Sequence, residues 1–530
     1  MFSNISSASK SWWISFLTLA ALCLGYYLNT LYKTDFHYTY FIDDAYIHLA
    51  IAKNFALHQV WGVTSHEFSS SSSSPLYTFL LSILIKLVGN NDQLPLYINL
   101  FFGIWVIYFL NKYYSKFFRD SKNIIFAVLF TVFFSVLHLQ LLSGMEHLLH
   151  VLLIVVNIFC FTKLNHSKKY VAGFFFTILL MGIVRFESMF YFVILSFCLI
   201  LIRKWKTAGI VILIGFIPIA VFCYFNYQQN GYFFPNSIIV KGTKLSFDSQ
   251  FFAQLKTIVF DNFLLNISFF KVGFFPILMC AVFLFRDLKK QSFDTVVNRD
   301  FFLIVFSMLM ICHSLFADLK GGFRYEAYIL TGFSMALIPK MTRFFQDFKT
   351  CIKEERLLSL LVLLNFSLLI YKLIIANTML NNGGKNIYEQ QLQSAKFLHQ
   401  YYNQSKIVAN DIGAITYYTD IHLFDIAGLA SEEMIPFNEN KAVFDDKFEI
   451  FLTKFSHKNK YDLAVVYDAW LGGHVPESWK KVATLKIKNK ITVAQNEVAI
   501  YCINIEKLNL LKKNVHDFKW NKNIKVEIIK

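Results

Sequence analysis

Apolar stretches alternate with short polar ones over the first 376 residues, and the alternation then stops. The apolar runs lie near 12–32, 94–111, 123–142, 147–162, 170–184, 187–202, 207–226, 263–285, 301–316, 326–340 and 357–376. A helix crosses a bilayer core with roughly 17–25 residues, so the pattern predicts a mainly α-helical, polytopic membrane domain with about 11 to 13 crossings. The first run follows Lys10 and lacks a small-residue cleavage site, which reads as an uncleaved anchor. The residue before Cys23 is the bulky Leu22, which excludes a lipoprotein signal. Segment 76–88 is apolar but only about 13 residues long, the length of a re-entrant or buried helix. Counting it as a crossing inverts every later loop. Either it does not cross fully, or a second short crossing lies beside it.

Short cytoplasmic loops retain Lys and Arg, and here every second loop is basic. Lys112, Lys116, Arg119 and Lys122 share one, Lys163, Lys168 and Lys169 another, and Arg203, Lys204 and Lys206 a third; Arg286 to Arg299 and Lys340 to Arg356 complete the set. The intervening loops, including 33–74, then face out, as does everything after 377. From there Asn, Lys, Gln and Asp rise and long apolar runs vanish. Residues 377–530 are expected to form a soluble extracytoplasmic α/β domain. Short buried strands are predicted at 406–410, 422–426 and 463–467, a helix over 411–419, and a hairpin from 482–495 and 497–504.

Composition agrees with this division. Hydrophobic residues are 56% of the chain, charged residues 16%, and the mean hydropathy is +0.46; these values exclude a soluble enzyme, a disordered chain and a fibrous protein. The 51 Lys plus Arg against 35 Asp plus Glu give a net charge of +16. In a soluble protein that excess suggests nucleic acid; here it belongs to cytoplasmic loops, and no nucleic-acid partner is expected. Cysteines are scattered without a CxxC spacing, so neither a disulfide framework nor a cysteine metal site is predicted.

Candidate chemistry gathers at the outer helix ends. The first outer loop carries Asp43-Asp44-Ala45-Tyr46-Ile47, then Lys53-Asn54, a serine run at 69–74 and Pro75-Leu76. Alone, the two carboxylates read as a helix cap, and the serines as a flexible linker. Further outer ends hold Gly144-Met145-Glu146, Arg185-Phe186-Glu187, Pro235-Asn236-Ser237 with Lys241, and Gly321-Gly322-Phe323-Arg324-Tyr325. Each has a plain structural reading: Arg185 with Glu187 as an ion pair, Lys241 as a headgroup contact. Folded together, they would line one cavity at the outer interface.

In order along the chain, these residues resemble motifs of the GT-C superfamily of membrane glycosyltransferases, particularly bacterial members related to the mycobacterial terminal arabinofuranosyltransferase. Asp43-Asp44-Ala45-Tyr46-Ile47 with Ala52-Lys53-Asn54 is similar to their first-loop signature, and Ser74-Pro75-Leu76 to the element that follows. Gly144-Met145-Glu146, Arg185-Phe186-Glu187 and Gly231…Pro235-Asn236-Ser237…Lys241 match three more. Asp411-Ile412-Gly413-Ala414…Asp425-Ile426-Ala427-Gly428-Leu429 matches a signature of their outer domain. Two departures, Phe186 for the usual Pro and His58 to Gly62 with the serine run for a glycine-rich stretch, point to a different acceptor pocket.

The resemblance implies a GT-C-like fold, with residues 1–376 as the membrane domain and 377–530 outside. It also implies an enzyme of the bacterial cytoplasmic (inner) membrane that moves a sugar from a polyprenyl-phosphate donor to an envelope glycan, glycolipid or protein acceptor. Asp43 would be the base, with Asp44 as neighbour or substitute, and transfer would invert the anomeric carbon. Lys241 and Arg324 would stabilise the leaving phosphate, while Asn236, Arg185, Glu187, Glu146, Ser74, Tyr325 and Asp411 would complete the substrate site. No cofactor is firm, although adjacent carboxylates leave a divalent cation open. Two alternatives stand beside the enzyme: a transporter or flippase of lipid-linked glycans, and an envelope scaffold in which Asp43 and Asp44 only cap a helix. Transporters place ionisable groups near the midplane and commonly show repeats. Charges at outer helix ends favour the enzyme.

Overall fold

The computed structural model describes residues 7–242, 249, 251–317, 319, 321–438 and 444–529. It begins with a 27-residue apolar helix, α1 (Ser7–Lys33), followed by α2 (Asp44–His58) and α3 (Pro75–Val88). Pro75 starts α3, where its fixed φ suits a first helical position, and Gly89 at φ +88 ends it. Next come α4 (Leu94–Tyr114), α5 (Ser121–Phe134), α6 (Leu137–Leu142), α7 (His147–Phe161), α8 (Lys168–Val184), α9 (Ser188–Leu201), α10 (Trp205–Asn230) and the short α11 (Asn236–Lys241).

Both ends of α3 touch the same C-terminal domain. Ahead of it, the Ser71 hydroxyl donates to the Leu429 carbonyl (2.9 Å). Behind it, Tyr417 donates to Asn90 (3.0 Å) and Tyr418 to Asp92 (2.7 Å). Residues flanking segment 76–88 on either side therefore meet one and the same domain.

Among the described residues, four helices are long and apolar enough to cross a bilayer: Ser7–Lys33, Leu94–Tyr114, Trp205–Asn230 and Arg356–Tyr401. Two bent pairs, Phe251–Val272 with Phe274–Leu288 and Phe293–Arg299 with Phe301–Phe316, raise the number to six. Several other apolar runs fall on helices of only 14 or 15 residues, among them α5, α7 and α9. The run 123–142 is broken at Val136, which takes a left-handed φ of +54° between α5 and α6. Lys372 answers that break: its ammonium donates to the freed Phe134 carbonyl and lies 3.7 Å from the Phe134 ring centroid.

The basic loops collect at one end of the bundle. Ser7 donates to the Arg119 carbonyl (3.1 Å) and Lys116 to Thr162 (2.8 Å), Arg203 pairs with Asp294 (3.6 Å), Lys340 with Asp287 (3.0 Å), and Arg286 with Glu355 (2.7 Å). The motif residues lie at the other end.

The helix Arg356–Ile387 continues through a wide turn into Gln393–Tyr401, so the boundary expected between 376 and 377 falls within it. The C-terminal domain is a six-stranded mixed sheet in the order β2-β1-β3-β5-β4-β6. Strands β1 (Lys406–Ala409), β2 (His422–Asp425) and β3 (Leu463–Val466) are parallel; β4 (Lys480–Lys486), β5 (Glu497–Cys502) and β6 (Lys525–Ile528) add antiparallel pairs. Each face buries an apolar layer. One of these layers includes Ile47, Ile51 and Val63 of the first outer loop, so domain and loop share a core, and the sheet is fixed directly over α2.

Candidate functional site

Two motifs meet first. Gly144, at φ +72, turns the chain where any Cβ would strike the Tyr40 ring at 2.6 Å, and this turn brings Glu146 to the buried start of α7. The Arg185 guanidinium, which follows α8, donates to Glu146 (2.5 Å) and grips Glu187 with a second, bidentate contact. Ser73 donates to Glu146 (3.1 Å) and His48 Nε2 lies 3.2 Å from it. Burial alone would raise the Glu146 pKa, but His147, Arg185 and His48 hold it well below the usual carboxylate range. Glu187 is lowered through Arg185 in the same way. The expected Arg185–Glu187 pair is thus one side of a buried triad, and the Arg185 charge is balanced within the protein.

Arg324 sits opposite. Gly322 and Phe323 adopt left-handed φ values of +64° and +61°, a costly turn for Phe, and the turn aims the guanidinium at the Asp44 carboxylate (2.9 Å), with Nε on the Gly321 carbonyl (2.6 Å). The Tyr325 ring centroid lies 5.1 Å from the Arg185 guanidinium carbon and 5.4 Å from that of Arg324. These groups border a cavity of about 420 Å³ with an apolar side formed by Phe186, Met189, Phe190, Ile238 and Phe316. Phe186 and the serines at 71 and 73, which depart from the superfamily's motifs, line this cavity.

A second cavity, of about 460 Å³, opens on the far side of Asp44. Asp44, Ile47 and Leu429 are common to both walls. Most of the second wall comes from loops at the carboxyl ends of the parallel strands: Asn410, Asp411 and Ile412 after β1, Ile426 and Ala427 after β2, Trp470 after β3. Asp425 shapes the middle loop by accepting from the Ala427, Leu429 and Ala430 amides (2.8–2.9 Å), which sets Ala427 and Leu429 against the cavity. Burial raises the Asp425 pKa to about 6, against the pull of those amides.

Asp43 behaves differently from its neighbour. It is 7% exposed and lines neither cavity. Its carboxylate accepts from the Gly413 (2.6 Å) and Ala414 (2.9 Å) amides, which open the helix Gly413–Tyr418. A Cβ at Gly413 would meet Asp43 Oδ2 at 2.6 Å, so this docking needs glycine. Burial, then the charge of Asp411, pushes the Asp43 pKa well up. Asp411 is raised too, by burial, against hydrogen bonds from Tyr467 (2.7 Å) and Gln391. The Asp43 carboxylate clasps the C-terminal domain to the first loop.

The other expected residues scatter around this core. Ser74 is fully buried at the start of α3. Asn236 is fully buried in α11, and neither of its amide atoms has a protein partner among the described residues; its neighbours Ser237 and Ile238 line the first cavity. The Lys241 side chain lies outside the described residues. The linker reading of the serine run is corrected: Ser69, Ser70, Ser71, Ser72 and Ser74 are buried. The hydroxyl of Ser69 accepts from the Val63 amide (2.9 Å), Ser70 donates to Asn226, and Ser72 bonds Thr78 (2.9 Å). Buried hydroxyls with fixed partners make a strap. Sequence reasoning missed His48, although it follows Asp44 by four residues and so shares its helix face. No local signal marks Trp470. Among the described residues, no group of three or more His, Cys, Asp and Glu side chains converges as a metal site.

A family model described as "Domain of unknown function (DUF8728)" matches residues 385–501. No curated protein sequence matches the chain. Among solved structures, the crystal structure of ArnT from Cupriavidus metallidurans bound to undecaprenyl phosphate is 11% identical; the alignment covers 92% of this chain and 98% of that one, with a TM-score of 0.50. The chain shares the fold of that structure, a bundle of apolar helices with a small C-terminal sheet domain.

Proposed function

We propose that the protein transfers a sugar from a polyprenyl-phosphate donor to a hydroxyl acceptor on the extracytoplasmic face of a bacterial inner membrane. The observation that carries this reading is the place of Asp44, whose carboxylate stands in the shared wall of two cavities. The first cavity, with its apolar side and the Arg324 guanidinium, suits a lipid tail and a phosphate. ArnT, which shares the fold, was crystallised with undecaprenyl phosphate bound, and the basic loops gathered at the opposite end fit the cytoplasmic side.

The geometry favours Asp44 over Asp43 as the base. Asp43 spends both carboxylate oxygens on backbone amides, whereas Asp44 is held by Arg324. A donor phosphate entering the first cavity competes for that guanidinium, and the Asp44 carboxylate also borders the second cavity. With an acceptor hydroxyl about 2.6–3.2 Å away, the carboxylate takes its proton as the oxygen bonds to the anomeric carbon. The bond from that carbon to the phosphate oxygen breaks, and polyprenyl phosphate leaves with the electron pair, stabilised by Arg324 and Lys241. Attack from the side opposite the leaving group inverts the anomeric carbon. The narrower kinship with arabinofuranosyl-transferring members rests on the motifs and is part of the same proposal.

The test is cleavage of polyprenyl-phosphate sugars by the purified protein in lipid nanodiscs, read as release of polyprenyl phosphate with and without added acceptors. Release that is lost in Asp44→Asn supports the reading. No release from any donor, together with movement of lipid-linked glycan across proteoliposomes, would replace it with the flippase.

A further inference from the structure

The second cavity is built for more than the approach of a bare hydroxyl. Ten of its thirteen wall residues come from the C-terminal domain, and they sit where open α/β sheets bind ligands, beyond the carboxyl ends of parallel strands. Its volume of about 460 Å³ lies within the roughly 300–1,000 Å³ typical of small-molecule sites. The polar groups are the carboxylates of Asp44 and Asp411 and the amides of Asn410 and Asn438, and the described wall holds no Lys or Arg. A phosphate or carboxylate would meet two like charges there.

Asn410 supplies the sharper clue. It is 5% exposed, its Oδ1 accepts from the Tyr467 amide (3.2 Å), and its Nδ2 has no protein partner among the described residues. A buried donor left unpaired costs about 1–3 kcal/mol, so it calls for an acceptor from a ligand. The adjacent Asp411 is fixed by the Tyr467 hydroxyl (2.7 Å). One donor and one acceptor on successive residues match neighbouring hydroxyls, which both give and take hydrogen bonds. Trp470, 39% exposed on the same wall, offers an aromatic surface for the C–H groups of a ring.

We propose that this cavity is the acceptor subsite and that its occupant is an uncharged sugar, held by Asn410, Asp411 and Trp470 with a hydroxyl turned to Asp44. The role of Asp44 in this arrangement rests on the transfer reading; the sugar site itself does not.

Binding without chemistry separates the two. Methyl glycosides of neutral hexoses and pentoses are examined by saturation-transfer NMR with the full-length protein in nanodiscs and no donor. Wild type and Asp44→Asn are expected to bind at least one glycoside, and the methyl glycoside of glucuronic acid is expected not to bind. Asn410→Ala and Trp470→Ala should weaken binding at least tenfold. Ala427→Phe, which fills the cavity instead of emptying it, should also abolish binding. Glycoside binding with that mutational pattern but no donor cleavage sustains the sugar site and sinks the transferase. Donor cleavage with no neutral glycoside bound, binding indifferent to all three variants, or transfer to a peptide hydroxyl that depends on Asn410 would overturn the sugar site and leave the transferase standing.

Discussion

The cavities on the two sides of Asp44 are made by different halves of the chain, and only one of them has cations in its described wall. One is built largely from the ends of membrane helices, carries Arg185 and Arg324 beside the carboxylates of Asp44 and Glu187, and has a broad apolar side. The other is built mostly from strand-end loops and carries carboxylates and amides, with no cation among its described wall residues. A displacement at a sugar carbon needs this asymmetry. The departing phosphate gains negative charge and calls for cations; the attacking hydroxyl loses a proton and calls for a carboxylate. On the proposed transfer reading, placing both around one acidic residue would let a single side chain face the incoming and outgoing groups in turn.

The division fails most visibly if Asp44 is dispensable. Asp44→Asn is expected to lower turnover by roughly 10²–10⁴, the usual share of general-base catalysis, with little change in thermal stability, because the side chain is partly open. Asp43→Asn should act in the other direction. It replaces an acceptor by an amide against the Gly413 and Ala414 amides, so loosened docking and a lower melting temperature are expected before any specific loss of turnover. Single-turnover rates and melting curves on both variants decide which aspartate does which job; the reverse pattern would hand the base back to Asp43.

Arg324 tests the cationic side. A contact that strengthens as the phosphate leaves raises turnover as well as affinity. Arg324→Ala is expected to reduce donor-saturated turnover by about 10²–10³, the range for removing one such donor. Arg324→Lys should recover only part, since a planar fork and a point charge are not equivalent. Wild-type kinetics in Arg324→Ala would break the assignment of the first cavity to the donor.

Much of this was legible in the chain. The motif residues do gather at one end of the bundle, because the basic loops and apolar runs fix alternate helix ends on the same side. Strands β1, β2 and β3 fall where short apolar runs are bounded by polar turns. Pairing across distance was not legible: the contact between Arg185 and Glu146 joins residues 39 apart in sequence, and the Asp43 clasp joins residues 370 apart. No local pattern distinguishes two adjacent aspartates that turn to different neighbours. β6 was missed because Lys525–Ile528 is a largely exposed edge strand mixing charged and apolar residues. The serine run misled because composition cannot show that hydroxyls will find buried partners.

The triad behind the first cavity should be worth less to chemistry than to stability. Glu146→Gln keeps the shape but removes one of the two carboxylates around Arg185, at an expected cost of about 1–3 kcal/mol. Turnover per folded molecule should change only a few fold. A drop as large as that of Asp44→Asn with an unchanged melting temperature would move Glu146 into the catalytic group and redraw the boundary between the two cavities.

The smallest expected effect concerns the clasp that holds the second cavity in place. Asp43 and Asp411 both have pKa values raised by burial, and Asp411 adds to the shift at Asp43. A raised carboxylate pKa means that the folded state binds protons more tightly than the unfolded chain. Stability from this source is therefore complete below the ordinary carboxylate range and is lost as pH climbs through the raised values. Asp425 contributes in the same direction between its ordinary 3.8 and about 6. Asp411→Asn removes one of the two like charges and leaves an amide able to donate to Asp43, so the wild-type protein should lose melting temperature relative to this variant as pH is raised from about 4 to 8. The difference between the two curves isolates the clasp from every other titrating group. A gap that narrows with rising pH would show that the two carboxylates do not oppose each other.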